Sequence, residues 1–162
     1  LQKLRNAFVV GTERSFEQDP RFGLIVISEI ASRALSPAVN DPGTAISVIG
    51  RLVRVLSHWK EDAQVKINHE AVFVPPIKPA ELILDAFRPI VRDGASIVEV
   101  QIRVQKALHA LADIAPDIFA GPASDMIAAA KARAQDALPE SEYRLVEQGA
   151  AAKSKQLAEN DP

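Results

Sequence analysis

Asn40, Asp41 and Thr44 surround Pro42 in the run Ala34-Leu35-Ser36-Pro37-Ala38-Val39-Asn40-Asp41-Pro42-Gly43-Thr44. An Asp before a Pro is how many helices open, with the carboxylate at the N-cap and the proline at N1, where a missing N–H costs nothing. Backbone N–H groups and the helix dipole at such a point suit an anion, while Asp and Asn oxygens equally suit a hard cation. The plainer reading is that Asp41 only caps the helix and Thr44 bonds back to it. A second polar group, Arg14, Glu17, Gln18 and Asp19, precedes Pro20 in the same way. There Arg14 with Glu17 or Asp19 reads as a structural ion pair. The two groups bracket a helix and stand about 20 Å apart at 1.5 Å per residue, so they are separate unless other elements fold back. The candidate ligand-binding set is therefore Arg14, Gln18 and Asp19 at one end and Arg33, Ser36, Asn40, Asp41 and Thr44 at the other. No catalytic residue, metal or cofactor is assigned to it.

Other catalytic patterns are thin. His58, His69 and His109 are scattered without zinc-ligand spacing, and no nucleophile elbow or phosphate loop occurs. The absence of cysteine excludes disulfides, thiolate metal sites and a cysteine nucleophile. Asp19 and Asp41 could converge for metal-assisted hydrolysis, although nothing in their spacing requires it.

The elements that must hold these residues are mainly helical. Asp19-Pro20 starts a helix over about 20–35 whose apolar residues run round most of its circumference, leaving Ser28, Glu29, Ser32 and Arg33 on a narrow stripe with Glu29 and Arg33 able to pair. Such a helix is expected at the centre of a bundle. Asp41-Pro42 starts an amphipathic helix reaching about Trp59. Alternation over about 64–74 reads as a β-hairpin, which could pair with residues 7–10. Pro79 opens a helix with a kink expected at Pro89, and Gly94 is placed to end it in the left-handed conformation. Ser96-Ile97-Val98-Glu99 has capping-box spacing for a helix to about Ala115. A loop over 116–121, an Ala-rich helix from Pro122 to Leu138 and a last helix from Pro139 complete a bundle of five to six helices. Residues 1–158 read as one domain, with 159–162 a frayed tail.

Composition agrees with that architecture. The 162 residues are 48% hydrophobic and 25% charged, as in an ordinary globular protein, and the 5% aromatic content leaves core filling to aliphatic side chains. A net charge of −2 with no basic block argues against nucleic acid as a partner. No uncharged apolar run is long enough for a membrane span, so the chain itself is expected to be soluble. It opens on Leu1 rather than Met, as an excised piece of something longer would.

Arg14-Ser15-x-x-Gln18-Asp19-Pro20 followed by Ala34-Leu35-Ser36-Pro37-x-x-Asn40-Asp41-Pro42-x-Thr44-Ala45 resembles the signature of a bacterial family of predicted multi-pass membrane proteins of unknown function. Ser15 stands where threonine is expected, which keeps the hydroxyl. The resemblance is strong from Gly11 to Leu52 and implies the C-terminal region of a protein whose N-terminal half crosses the bacterial cell membrane. That absent transmembrane region would be its partner, and the domain would lie on the cytoplasmic side. The expected role is non-enzymatic, in ligand or ion sensing, gating or assembly. The alternatives are a metal-assisted hydrolase using Asp19 and Asp41, and a structural domain that forms homo-oligomers through an apolar helix face.

Overall fold

The computed structural model describes Phe16, residues 19–60 and residues 75–158, the last nine of these as backbone only. Among the described residues there are six helices and no strand: α1 Pro20–Ala34, α2 Pro42–Leu56, α3 Pro79–Asp93, α4 Val98–Ile114, α5 Pro116–Ala137 and α6 Glu140–Ala158. The expected hairpin over 64–74, the strand over 7–10 and the tail over 159–162 lie outside the described residues. Helices α1, α2, α4, α5 and α3 pack in a closed ring in that order, and α6 lies against α4 with a smaller contact to α5. The ring encloses Ile49 and Leu52 of α2, Ile83 and Phe87 of α3, Leu108 of α4 and Phe119 of α5, all fully buried. Each such side chain contributes about 1.5–3 kcal/mol through removal from water.

α1 does not occupy the centre of this bundle. It packs on α2 and α3 through Leu24, Ser28, Ala31 and Ala34, while Ile30 on the other side is 49% exposed. Hydrophobicity all round a helix shows that burial is tolerated on every face, not that neighbours exist to provide it. The expected polar stripe also divides: Ser28 is fully buried, Ser32 is half-buried and bonded to α3, and exposed Glu29 and Arg33 form no ion pair with each other. What ties α1 to α3 is Arg21. Its guanidinium donates Nε to Asp85 Oδ2 at 2.6 Å and Nη2 to Oδ1 at 3.2 Å, and Nη1 to Glu81 Oε2 at 2.8 Å.

Three local expectations are corrected. Gly94 ends α3 at φ −98° and ψ 15°, outside the left-handed region; its small size matters because a Cβ there would lie 2.6 Å from Val100 Cγ1. The Ser96–Glu99 capping box does not form, since α4 opens at N-cap Ile97 without a side-chain cap. Residues 116–121 are helix rather than loop. α5 starts with Pro116 at N1 and continues through Gly121 and Pro122, because Phe119, Ala123, Met126, Ala130 and Ala134 form one buried stripe that outweighs the local breakers. Pro89 and Pro122 both sit inside helices, each omitting one backbone donor.

Candidate functional site

The loop joining α1 to α2 folds on itself. Ser36 donates both its N–H and its Oγ–H to Arg33 O, at 3.1 and 2.7 Å, and Asn40 N–H donates to Ser36 O at 2.8 Å. Asn40 takes φ 47°, the left-handed conformation that Asn accepts more readily than most side chains. The next residue, Asp41, donates its N–H to Ala34 O at 2.7 Å, which draws the start of α2 against the end of α1. Its carboxylate then accepts Thr44 N–H at 3.0 Å and Thr44 Oγ1–H at 2.6 Å. Those bonds hold the Asp41 carboxyl below its ordinary range, the Thr44 hydroxyl contributing most. Two prolines, a left-handed Asn, an Asp cap and its Thr thus account for a tight helix-to-helix reversal.

Opposite this loop lies the turn from α3 to α4. Gly94 O accepts Ile97 N–H at 3.1 Å and Nε2 of the fully buried Gln101 at 2.9 Å, so the turn is anchored from inside the bundle. Asp93, the last residue of α3, accepts Ser32 Oγ–H of α1 at 2.7 Å and two bonds from Arg92 at 2.6 and 3.0 Å. The Arg92 bonds, with help from Ser32 and against partial burial, hold the Asp93 carboxyl below its usual range, so it is ionised at neutral pH.

Between the two connections is an open groove of about 620 Å³ lined by Ser32, Leu35, Ser36, Pro37, Asn40, Asp93, Ser96 and Ile97. Its polar rim offers three hydroxyls, an amide and one carboxylate above an apolar floor of Leu35 and Ile97. α4 begins at this groove, at N-cap Ile97, with no side-chain cap on its first-turn amides.

Residues 1–110 match the family described as Predicted membrane protein (DUF2254). The chain belongs to this family. Both connections that form the groove fall within the matched stretch. An uncharacterized protein of Mycobacterium bovis and two from strains of Mycobacterium tuberculosis are each 56% identical to the chain over 48 residues, 30% of this chain. That match spans only 9% of the length of those curated relatives. No solved structure matches the chain. Among the described residues, no helix of this DUF2254 chain is long and apolar enough to cross a membrane.

The structure separates the sequence candidates. Ser36 and Asn40 line the groove. Asp41 and Thr44, exposed and not part of its lining, spend their polar atoms on each other, and Arg33 is exposed in the last turn of α1, where a cation complements the helix dipole. Asp19 caps α1 by accepting Phe22 N–H at 3.1 Å. It stands one 15-residue helix away from Asp41, about 22 Å at 1.5 Å per residue. A two-carboxylate site of Asp19 and Asp41 is therefore not assembled, and no cluster of three metal-ligating side chains occurs among the described residues. Arg14 and Gln18 lie outside the described residues.

Ser32, Asp93 and Ser96 are not among the sequence candidates for the site, although Ser32 falls on the polar stripe expected of α1 and Ser96 on the expected helix cap. Asp93 did leave a trace: a carboxylate in the last turn of a helix opposes the dipole, so some partner must hold it there. One partner, Arg92, is local; the other, Ser32, lies on another helix and becomes a neighbour only when α1 packs on α3.

Proposed function

We propose that this chain is a non-enzymatic helical domain of a DUF2254 membrane protein, and that the groove between the α1–α2 loop and the α3–α4 turn binds a small polar ligand whose presence biases the membrane part. The observation that carries the reading is convergence: Ser36 and Asn40 of the signature stretch meet Ser32, Asp93 and Ser96 from other elements in one open cleft. About 300–1,000 Å³ is the usual size of a small-molecule site, and a few polar groups over an apolar floor is the usual lining. Asp93, an ionised carboxylate already bonded to Arg92 and Ser32, keeps lone pairs to accept from an ammonium group, and the uncapped first turn of α4 begins beside it to meet a carboxylate. A zwitterion of amino-acid type uses both. A ligand wedged between two helix connections would alter the angle between α1 and α3, which is how occupancy would be passed on.

The test is thermal unfolding of the chain with amino acids, other small zwitterions, polyols, phosphates and divalent metals, repeated on Asp93→Asn and Asn40→Gly. The glycine keeps the left-handed backbone and removes the amide. A ligand at about 100 times its Kd adds about 2.7 kcal/mol, several degrees for a chain of this size. A shift confined to zwitterions and lost in both variants supports the reading. A metal-dependent shift unaffected by either variant, or no shift from any compound, overturns it.

A further inference from the structure

Among the described residues, cations gather on α2 and α4 in a way that neither the net charge nor the groove explains. α2 carries Arg51 and Arg54 and no carboxylate, and both arginines are exposed. α4 adds Arg103 and Lys106. Arg103 lies over α2: its Nη2 comes within 3.2 Å of the place where a Cβ on Gly50 would be. Gly50 thus leaves room for a guanidinium from the neighbouring helix, one turn from Arg54 and beside Arg51. Among the described residues none of these four cations has an ion-pair partner. Glu99, one turn before Arg103, is the carboxylate nearest to them along α4, and it is exposed. From 116 to 147, by contrast, carboxylates outnumber cations six to three. That acidic stretch spans α5 and the start of α6, and α5 makes no contact with α2. Among the described residues the result is a basic patch of Arg51, Arg54, Arg103 and Lys106 on α2 and α4, and Val55, 49% exposed, stands one turn from Arg51.

We propose that this face rests on an anionic bilayer surface, with Arg51, Arg54 and Arg103 among lipid phosphates and Val55 in the headgroup layer. Three observations choose lipid over an acidic protein. The chain belongs to a membrane-protein family, so a charged surface lies close by without any further partner. Unpaired arginines with room to lie flat suit planar contact with phosphate oxygens. The carboxylates of α5 make no contact with α2, so they leave the field of its arginines uncancelled. The inference rests on the membrane setting and not on the ligand groove, so its failure leaves the thermal-shift test of the groove standing.

The experiment is co-sedimentation of the chain with vesicles of phosphatidylcholine alone and of phosphatidylcholine with roughly one third phosphatidylglycerol, at low and high salt. Binding is expected only to the anionic vesicles and should weaken as salt rises. Each arginine near such a surface is worth roughly fivefold in partitioning, so Arg51→Gln/Arg54→Gln/Arg103→Gln should lose roughly a hundredfold. Lys131→Gln/Arg133→Gln on α5 should bind as the parent does. If the triple variant does not fold, the single variants at the same positions are measured, each expected to lose roughly fivefold. The proposal is overturned if the chain ignores anionic vesicles, if it binds neutral vesicles equally, or if the α5 variant loses as much as the α2/α4 variant. Capture of an acidic protein without vesicle binding overturns it as well.

Discussion

Replacing Gly94 by Ala tests how the α3–α4 turn is held. The backbone at φ −98° and ψ 15° is open to any L-residue, so conformation alone would make the change favourable by about 0.4–1 kcal/mol through a less flexible unfolded chain. Packing acts the other way. The new methyl would lie 2.6 Å from Val100 Cγ1, 3.3 Å from Val100 Cβ and 3.0 Å from Ile90 O. Val100 is fully buried in the first turn of α4 and, being β-branched, has little rotamer freedom with which to yield. Overpacking of this kind costs about 1–3 kcal/mol, so the net expectation is a loss of about 1–2 kcal/mol. For a domain of this size that lowers Tm by about 2–8 °C. The assay is thermal and urea unfolding of Gly94→Ala, Val100→Ala and the double variant. Removing the Val100 methyls should relieve the clash, so the double variant should be more stable than the sum of the singles predicts by about 1 kcal/mol. A Gly94→Ala protein as stable as the parent, or strict additivity, would refute the argument. The variant should also weaken ligand binding in the groove, because Gly94 O anchors the turn that presents Asp93 and Ser96.

Two further outcomes follow from named contacts. Arg21→Gln removes a bidentate partner from Asp85, whose side chain is 16% exposed, and should destabilise the fold by about 1 kcal/mol, less at high salt; denaturant titration with and without added salt measures it. Because the Asp93 carboxyl is held below its unfolded value, its stabilising contribution is complete above the ordinary carboxylate range and is lost as pH falls through the lowered folded value. Tm of the parent and of Asp93→Asn should therefore converge as pH is taken from neutral to about 2, and parallel curves over that interval would contradict the assignment.

Asp19-Pro20 and Asp41-Pro42 each announce a helix start at the residue where one occurs, and each Asp accepts the expected amide. These are short-range effects, settled by the geometry of one turn, which is why sequence alone determined them. The Asp41–Thr44 cap was legible for the same reason, since its bonds run between close neighbours in the chain, whereas the left-handed Asn40 and the return of Asp41 N–H to Ala34 O were not. Sequence reading failed where packing outweighed local preference: Gly121 and Pro122 read as breakers, yet the buried stripe from Phe119 to Ala134 carries the helix through them. It failed again where a residue's partner is remote. Asp93 meets Ser32, Arg21 meets Asp85, and Arg103 crosses to Gly50 only because the helices close into a ring. Periodicity states which faces of a helix can be buried, but which face a neighbour covers depends on how all the helices share one core. For that reason the starts of α1, α2 and α3 were written in the sequence, whereas the early start of α5, the exposed side of α1, the groove at Asp93 and the basic face of α2 and α4 were decided by tertiary packing alone.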